Sequence, residues 1–331
     1  MNKIKVGVIG TGHLGKFHTK LYNEIDSCEL MGIYDPDFSR AIEVATELSV
    51  RSFPSMEQLL KYCDAVSIAA TTSAHYSIAK ECLKTGKHVF VEKPITATIE
   101  QAEEIVKLAR EKKLILQVGH VERFNPALLS LDHFELKPMF VQSDRLAQFN
   151  PRGTDVAVVL DLMIHDIDII LSLVKSEVKK VDASGVAVVS DTLDIANARI
   201  EFENGAVANV TASRISQKKM RKMRIFQKDS YISIDFDSGL SEVFRLIASE
   251  DTFNPSSITF GELGVGDKKK RIIYEQPEVK NGNALKHELS LFIDSIINNT
   301  RPVVSGEDGL KALIVAEQII NKINESKVNA S

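Results

Sequence analysis

The stretch that most constrains the fold is Lys5 to Asp35, KVGVIGTGHLGKFHTKLYNEIDSCELMGIYD. An apolar run, Val6 to Ile9, leads directly into Gly10-Thr11-Gly12-His13-Leu14-Gly15. A helix-like stretch follows, and a second apolar run, Leu30 to Tyr34, ends at Asp35. This order predicts strand, glycine turn, helix and strand, which is the dinucleotide-binding unit of doubly wound α/β folds. The alternative is a structural strand-to-helix turn that binds no ligand.

The residues of the turn have physical roles in this prediction. Gly10 permits a tight turn, Gly12 lets the backbone approach a pyrophosphate, and Gly15 lets the helix pack closely on the strand. The N-terminus of the helix offers free N–H groups and a partial positive charge to phosphates. We therefore expect the whole turn, including Thr11, His13 and Leu14, to hold the cofactor.

Asp35 predicts which dinucleotide binds. A carboxylate at this strand end accepts hydrogen bonds from both ribose hydroxyls of NAD and repels the additional phosphate of NADP. Arg40 is the nearest cation that would favour NADP instead. We expect NAD, with NADP less favoured. The alternative role for Asp35 is that of a turn residue before Pro36.

Composition narrows the class of protein. The chain has 331 residues, which predicts two domains, and 44% of them are hydrophobic, which is enough for sizeable cores. Its 41 basic residues are interleaved with 45 acidic ones, which argues against a nucleic-acid partner or an anionic membrane surface. No apolar run is long enough to span a bilayer, and we expect no signal peptide before the first strand. The three cysteines are scattered and lack metal-ligand spacing, which indicates reduced thiols and no metal site. Together with the lack of a membrane-spanning run, this leads us to expect a soluble, cytoplasmic protein.

Strands alternate with helices up to residue 118, which predicts a nearly complete, six-stranded Rossmann domain over residues 1–120. The helices are expected at 38–48, 55–60, 78–85 and 97–112. In such folds the ligand lies at the carboxyl ends of the strands. The residues expected at those ends, as further cofactor contacts, are Ala70, Thr71, Thr72, His75, Glu92 and Lys93.

The pattern changes in the second half, where long strands follow one another and Asn204-Gly205 marks a hairpin turn. Residues 121–331 are therefore expected to form an α+β domain with a largely antiparallel, open sheet. A polar loop is expected at 250–270. Two closing helices, Ala284–Asn298 and Gly309–Ile323, follow it and can pack back on the first domain.

A polar stripe marks the helix expected from Asp155 to Val174, which is otherwise apolar nearly all round. Asp161, His165, Asp168 and Ser172 are spaced i, i+4, i+7 and i+11, on one face. Buried ionisable groups must be paired or line a cleft. The acid one turn before His165 can orient its ring and raise its basicity. A structural role, a catalytic role and metal ligation all remain open at this point, although no further metal ligand is in view.

Several motifs resemble the glucose–fructose oxidoreductase / inositol dehydrogenase (Gfo/Idh/MocA) family over essentially the whole chain. They are GTGHLGKFH at 10–18, AHYSIAKECLKTGKHVFVEKP at 74–94, and Asp161-x-x-x-His165. The resemblance implies a Rossmann domain followed by an open sheet that is often used for oligomerisation, so a homodimer or homotetramer is expected. It also implies that Lys93, Asp161 and His165 are catalytic. Val156, Ala157 and Met163 stand where the family commonly has glycine, so the start of the helix and the pocket wall are expected to differ.

Two runs are similar to a narrower branch that oxidises UDP-N-acetylglucosamine at the sugar C3: VGHVERFNPA at 118–127 and LDLMIHDID at 160–168. The resemblance implies hydride transfer from a secondary alcohol to nicotinamide, with His165 as general base, Asp161 stabilising the imidazolium and Lys93 stabilising the oxygen. The roles of Lys93 and His165 are exchangeable on this argument.

Candidate substrate contacts, besides Asp161 and His165, are His120, Arg123 and Asn125, and Arg123 is suited to a diphosphate. The alternative for these three is a structural hinge with Arg123 in a salt bridge. The alternative activities are a dehydrogenase of inositol or another free sugar or polyol, a non-catalytic NAD- and sugar-binding regulator, and a reductase of an imine or enone.

Overall fold

The computed structural model describes residues 3–150, 156–248, 257–265, 269–280 and 282–328. The chain divides into two compact units. The first unit comprises Met1–Val121 and Gly282–Ile314, and the second comprises Glu122–Asn281 and Val315–Ser331.

Both units combine strands with helices. The strands are β1 Ile4–Ile9, β2 Cys28–Tyr34, β3 Ala65–Ile68, β4 His88–Glu92, β5 Leu116–Gly119, β6 Phe140–Leu146, β7 Val178–Val186, β8 Ile195–Phe202, β9 Val207–Ser213, β10 Met220–Gln227, β11 Ser230–Asp235, β12 Leu240–Ala248, β13 Ile258–Leu263 and β14 Lys270–Glu275. The helices are α1 His13–Tyr22, α2 Phe38–Leu48, α3 Met56–Leu60, α4 Thr72–Lys84, α5 Ile99–Lys112, α6 Pro126–Leu129, α7 Ile164–Val174, α8 Ala284–Asn298 and α9 Gly306–Val328. A 3₁₀ turn, Val121–Phe124, precedes α6, and a π-helical turn, Val159–Met163, precedes α7.

The sheet of the first unit has the order β2-β1-β3-β4-β5, and its neighbouring strands pair in parallel. Val6 and Val8 of the central strand β1 are fully buried, as expected for a strand covered on both faces. Helix α8 belongs to this unit although it lies far along the chain, and its Leu289, Phe292 and Ile293 join the same core. The parallel sheet with its helices confirms the predicted Rossmann fold.

The prediction of six strands in this sheet is wrong for the described residues, which hold five. The neighbouring place beside β2 is taken by an extended segment in which Ser52 makes one isolated parallel bridge with Ile33. The Ile33 N–H donates to the carbonyl oxygen of Arg51 over 2.8 Å. The Phe53 N–H donates in turn to the Ile33 carbonyl oxygen over 2.9 Å, and this single bridge is too short to count as a sixth strand.

Other boundaries also differ from the predictions. Helix α5 begins at Ile99 rather than at residue 97, and α9 spans Gly306–Val328 rather than Gly309–Ile323. Helix α4 begins at Thr72 rather than at residue 78, because threonine and serine are favoured in helix starts as well as in loops. The predicted loop at 250–270 contains strand β13, which pairs with β14 at the edge of the second sheet. Residues 249–256 and 266–268 of that region lie outside the described residues, as does Asp155 at the predicted start of the long helix.

The sheet of the second unit has the order β13-β14-β12-β11-β10-β6-β9-β8-β7. Its neighbours pair antiparallel except β6 and β9, which are parallel. The predicted hairpin joins β8 to β9, and Gly205 in its turn has φ +84°. This sheet confirms the predicted, largely antiparallel second half.

One face of this sheet carries a continuous row of aromatic side chains, which we call the aromatic row. Phe226 lies opposite both Phe140 and Tyr231, and Phe244 lies opposite both Tyr231 and Tyr274. Phe260 of the edge strand closes the row and is 68% exposed. Neighbouring ring centroids are 5.0 to 6.2 Å apart, so cross-strand aromatic contacts hold six adjacent strands in register.

Candidate active site

The glycine turn has the geometry of a phosphate cradle. Gly10 has φ +94°, in the left-handed region that favours glycine, and its N–H donates to the Tyr34 carbonyl oxygen over 2.8 Å. A Cβ on Gly15 would lie 1.9 Å from the Gly10 carbonyl oxygen, so only glycine fits there. A Cβ on Gly12 would meet nothing within 4 Å. Open space therefore faces Gly12 at the start of α1, and no side chain caps the helix there.

Asp35 is tied to this turn. It is 3% exposed, and its Oδ2 accepts hydrogen bonds from the backbone N–H of Thr11 at 2.8 Å and from the Thr11 hydroxyl at 3.0 Å. Its Oδ1 accepts from the Asp37 N–H at 2.9 Å and from Arg40 Nη2 at 2.7 Å. Burial by itself would raise the pKa of Asp35, but the hydrogen bonds from Arg40, Thr11 and Asp37 outweigh it and hold that pKa below its ordinary value. Asp35 is a carboxylate at neutral pH.

Arg40, the cation that the sequence suggested could favour NADP, is paired with Asp35 in the structure. The side chain of Arg40 is 48% exposed, whereas that of Asp35 is almost fully buried. A carboxylate offers about four acceptor positions, and all four of these are used. Arg40 is the partner that can move into solvent, so its swing would free an acceptor for a ribose hydroxyl.

A buried chain of polar side chains lies next to the predicted lysine. It contains Glu92, which was expected as a cofactor contact, together with His18 and Ser67, which were not singled out. His18 Nδ1 is 2.7 Å from Ser67 Oγ, and His18 Nε2 is 2.9 Å from Glu92 Oε1. The other oxygen of Glu92 accepts the backbone N–H of Lys93 at 3.3 Å. The glycine-turn helix is thereby linked to the strand end that carries Lys93, whose side chain is half-buried. His18 closes the quoted motif GTGHLGKFH, but nothing local indicates a partner at Glu92.

His75 joins two backbone carbonyl groups near the same strand ends. It is 1% exposed, with Nδ1 2.9 Å from the Pro94 oxygen and Nε2 3.1 Å from the Ala70 oxygen. A neutral imidazole has one N–H and can donate to only one of the two. Burial lowers the pKa of His75, against a smaller opposing effect of these carbonyl groups, and burial likewise lowers the pKa of His88. His88 Nδ1 accepts the N–H of Ile115 at 2.9 Å, a bond that protonation would break.

These two histidines predict how stability depends on pH. Their pKa values are lower in the folded than in the unfolded chain, where histidine titrates near about 6.5. The unfolded chain therefore binds more protons below that pH, and the free energy of unfolding falls as the pH drops from about 7 to about 5, by up to about 1.4 kcal/mol per pH unit for each histidine. Urea unfolding over this range measures the slope, and His75→Gln or His88→Gln should reduce it. A free energy of unfolding that stays constant below pH 6.5 would contradict the assignment.

Asp161 and His165 lie on a distorted helix. Asp161 is within the π-helical turn, where the N–H of Ile164 donates to the carbonyl of Val159, five residues back. Both side chains are half-buried, and His165 is the one residue from Ile164 to Ile170 that is not buried. π-Helical turns are frequent at functional sites. The imidazole and the carboxylate are therefore both partly accessible on a stretch of chain whose core-facing residues are buried.

In the predicted polar stripe, Asp168 and Ser172 do not face an open cleft, because both side chains bond to other groups of the protein. Asp168 is buried and accepts from both Nε and Nη2 of Arg123, at 2.6 and 2.9 Å. The Ser172 hydroxyl donates to the carbonyl of Ile169. Asp168 is thus paired, which is one of the two outcomes that its burial required.

Two of the candidate substrate contacts, Arg123 and Asn125, are engaged in structural contacts. Arg123 is held by Asp168, which is the salt bridge that the sequence left open. Asn125 caps α6 by accepting the N–H of Ala127 at 3.1 Å. His120 is buried and follows β5 directly. Substrate contact by these residues stays a prediction.

Besides the Arg123–Asp168 pair, the structure contains a buried ion cluster around Arg145 that the sequence analysis did not predict. Arg145 of β6 is 3% exposed and donates to both oxygens of Asp166, from Nε at 2.9 Å and from Nη2 at 3.0 Å. Its Nη1 donates to Glu122 at 3.1 Å, and Glu122 also accepts from Arg221. Burial alone would lower the pKa of Arg145, but the adjacent carboxylates outweigh it and raise that pKa, so the guanidinium stays charged.

The loop between β7 and β8, which contains the buried Asp194, contacts the chain just before the π-helical turn. Burial by itself would raise the pKa of Asp194, but hydrogen bonds from the Ser190 hydroxyl and from the N–H groups of Val188, Val189 and Ser190 outweigh it and hold that pKa far below the ordinary value. The neighbouring Leu193 carbonyl accepts the N–H of Val158 at 2.9 Å. The loop between β7 and β8 is thereby fixed against the beginning of the helix that carries Asp161.

Within the described ranges, no group of three or more histidine, cysteine, aspartate or glutamate side chains is arranged to hold a metal ion. The helices in this part of the chain are also too short or too polar to cross a membrane.

The two halves of the chain match two family profiles. The profile described as "Oxidoreductase family, NAD-binding Rossmann fold" matches residues 4–120, and the profile of the GFO/IDH/MocA C-terminal domain matches residues 137–233. The chain is 37% identical to UDP-N-acetylglucosamine 3-dehydrogenase of Acidithiobacillus ferrooxidans, over 96% of this chain and 97% of that protein. It is 30% identical to scyllo-inositol 2-dehydrogenase (NAD(+)) of Bacillus subtilis, over 65% of this chain and 68% of that protein.

Solved structures agree with the sequence comparisons. A structure of the Acidithiobacillus ferrooxidans UDP-N-acetylglucosamine 3-dehydrogenase superposes with a TM-score of 0.86 and 35% identity, covering 98% of each chain. Both units of the present fold are therefore shared with that protein. The chain belongs to the GFO/IDH/MocA family of NAD-binding oxidoreductases, as its motifs at 10–18, 74–94 and 161–165 indicated.

Proposed function

We propose that this oxidoreductase uses NAD to oxidise a secondary alcohol of a nucleotide sugar, namely UDP-N-acetylglucosamine at C3. The observation that carries the choice of substrate is the 37% identity, over nearly the full length, to a UDP-N-acetylglucosamine 3-dehydrogenase. The half-buried imidazole of His165 on an otherwise buried helix supports the reaction type, since removal of a hydroxyl proton needs a base near its neutral form at physiological pH.

The chain supplies the proton chemistry and the binding groups. His165 takes the proton of the sugar hydroxyl as general base, and Asp161 stabilises the resulting imidazolium. Lys93 donates a hydrogen bond to the oxygen as negative charge develops on it, and the reverse assignment of Lys93 and His165 is the alternative. Bound NAD supplies the hydride acceptor. The glycine turn from Gly10 to Gly15 and the N-terminus of α1 hold the pyrophosphate.

The proposed cofactor preference is NAD over NADP. Asp35 is buried and ionised beside the glycine turn, where a ribose carrying a 2′-phosphate would bring further negative charge against it. Arg40 weakens this preference, because its positive charge beside Asp35 offsets part of the repulsion between Asp35 and the 2′-phosphate of NADP. We expect kcat/KM for NAD to exceed that for NADP by about tenfold or more, which corresponds to about 1.4 kcal/mol.

The proposal is tested by following NADH formation with UDP-N-acetylglucosamine, UDP-glucose, myo-inositol and scyllo-inositol, each with NAD and with NADP. We expect turnover with UDP-N-acetylglucosamine, and reduction of the product with borodeuteride should place deuterium at C3 of the sugar. His165→Gln is the matched control and should lower turnover by about 10²- to 10⁴-fold. Turnover with inositol but not with the nucleotide sugar would instead support the polyol dehydrogenase, which the 30% identity to scyllo-inositol 2-dehydrogenase favours.

The same assay separates the remaining alternatives. A non-catalytic regulator would bind NAD and sugar without forming NADH. An imine or enone reductase would consume NADH or NADPH with an unsaturated substrate and would depend little on His165. If the wild-type protein forms NADH and the Lys93 and His165 variants do not, both the regulator and the reductase are excluded.

We also propose that residues 1–120 are the cofactor domain and residues 121–331 the substrate and oligomerisation domain, except that residues 282–314 of the latter pack in the first unit. The aromatic row supports a homodimer or homotetramer formed through the second sheet, because exposed rings such as Phe226 and Phe260 favour burial against another apolar face. Light scattering that gives the mass of a single chain would contradict this. The cytoplasm is the proposed location, supported by three cysteines that are all free thiols.

A further inference from the structure

Helix α7 is held from two sides by arginine forks. Arg145 contacts both oxygens of Asp166 at 2.9 and 3.0 Å, and Arg123 contacts both oxygens of Asp168 at 2.6 and 2.9 Å. A bidentate guanidinium–carboxylate contact has one planar orientation, so it restricts rotation as well as distance. We call these two contacts the arginine clamps.

The clamps lie on either side of the direction in which His165 points. In an α-helix each residue turns about 100°, so Asp166 lies about 100° to one side of His165 and Asp168 about 60° to the other. Two clamps at these positions fix the rotation of α7 about its own axis. The buried apolar residues of the helix, Ile164, Ile167 and Ile170 among them, fill volume but have no comparable directional contact.

The π-helical turn makes such a constraint necessary. Its hydrogen bond from Ile164 to Val159 spans five residues, so the helical register changes between Asp161 and His165. The bonds of Leu193 and Asp194 fix the chain before this turn, and the clamps fix it after the turn. The relative placement of the Asp161 carboxylate and the His165 ring therefore depends on both.

We infer that Arg145 and Asp166 are positioning residues for His165, which they hold in the orientation needed to accept the proton of the substrate hydroxyl. The inference rests on the proposed function, in which His165 is the general base. Asp166 and Arg145 contact each other and not the reacting atoms in this assignment. Glu122 completes the group by accepting from the third nitrogen of Arg145, and Arg221 balances its charge.

The test uses Asp166→Asn in the full-length protein, because asparagine keeps the size of the side chain but loses the charge and one acceptor. We expect kcat to fall by about 10- to 100-fold while KM for the sugar and Kd for NAD change by less than about threefold. Assays are run where circular dichroism shows the variant folded. Arg145→Lys is the second variant, since it keeps the charge and loses the fork, and it should lower kcat in the same way.

A second measurement, which does not depend on turnover, monitors the His165 imidazole directly by NMR. The ring ¹⁵N signals of His165, assigned by comparison with His165→Gln, are titrated against pH in the presence of NAD. We expect the titration midpoint and line shape of His165 to change in both clamp variants. Glu275→Gln is the matched control: it removes the carboxylate that pairs with Arg245 in the same unit, away from α7, and should leave kcat and the His165 signals unchanged.

The outcomes separate cleanly. Clamp variants that lose stability but keep kcat within about threefold, with an unchanged His165 titration, would overturn the inference and leave the clamps purely structural. If the wild-type protein oxidises none of the alcohols tested, the proposed function fails, and the titration alone then decides about the clamps. An altered His165 titration in both variants, with Glu275→Gln like the wild type, would support them.

Discussion

We expect the replacement of Lys93 by methionine to leave NAD binding nearly intact and to lower kcat by about 10²- to 10⁴-fold. Methionine matches the length of the lysine stem but cannot donate a hydrogen bond to the oxygen that becomes negative. The backbone at this position is held by Glu92, which accepts the Lys93 N–H, and Glu92 is itself held by His18. The substitution therefore removes the ammonium group without releasing the chain that carries it.

The measurement combines steady-state turnover with calorimetric titration of NAD. Lys20→Met, on the exposed side of α1, is the matched control and should behave as the wild type. A wild-type kcat in Lys93→Met would remove Lys93 from the reaction. A loss of NAD affinity that accounts for the whole effect would reassign Lys93 to holding the cofactor.

Gly15→Ala has the second large effect and should abolish both cofactor binding and much of the stability of the first unit. The new Cβ would lie 1.9 Å from the Gly10 carbonyl oxygen, which is backbone and cannot rotate away. Separating them moves α1 off the sheet. We expect the free energy of unfolding to fall by about 3 kcal/mol or more and Kd for NAD to rise by at least about 100-fold.

Gly12→Ala is the informative partner of this variant. Its Cβ meets nothing within 4 Å in the protein, so the unfolding transition should stay where it is in the wild type. The methyl group nevertheless enters the space that we assign to the pyrophosphate, and NAD affinity should fall. Thermal unfolding and calorimetric titration of both variants check this. If Gly12→Ala binds NAD as tightly as the wild type, the pyrophosphate does not lie at this position.

Local signals explain what the sequence predicted well. The order of strand, glycine turn, helix and acid from Val6 to Asp35 is encoded by residues in contact along the chain. The predicted bounds of α2 and α8 match the structure, where Asp37 and Asn283 cap the two helices and Ser49 and Asn299 end them in a left-handed conformation. Helix α4 was misplaced because hydroxyl residues are common both in loops and in first helical turns.

Much of the candidate site lies beyond such signals. Asp166 falls off the predicted stripe, and its partner Arg145 is on a strand that no local pattern connects to it. Glu92 and His18 are far apart in the chain and meet only because β4 and α1 pack in one unit. The π-helical turn has no characteristic sequence, so helical spacing alone could suggest that Asp161 and His165 share a face but not how the intervening turn is wound.

The parallel pairing of β6 with β9 has a consequence for how the second unit is made. Phe140 of β6 pairs with Val207 on one side and with Phe226 on the other, so both neighbours of this central strand are synthesised long after it. The sheet cannot grow by adding hairpins in the order of translation, and a nascent chain that ends before β9 holds an interior strand with two bare edges. Such non-local pairing slows folding and exposes strand edges to aggregation. During expression, the waiting time of β6 for its two partner strands should therefore limit the yield of folded protein. We expect low temperature and added chaperones to raise that yield mainly by protecting β6 rather than the first strands of the Rossmann unit.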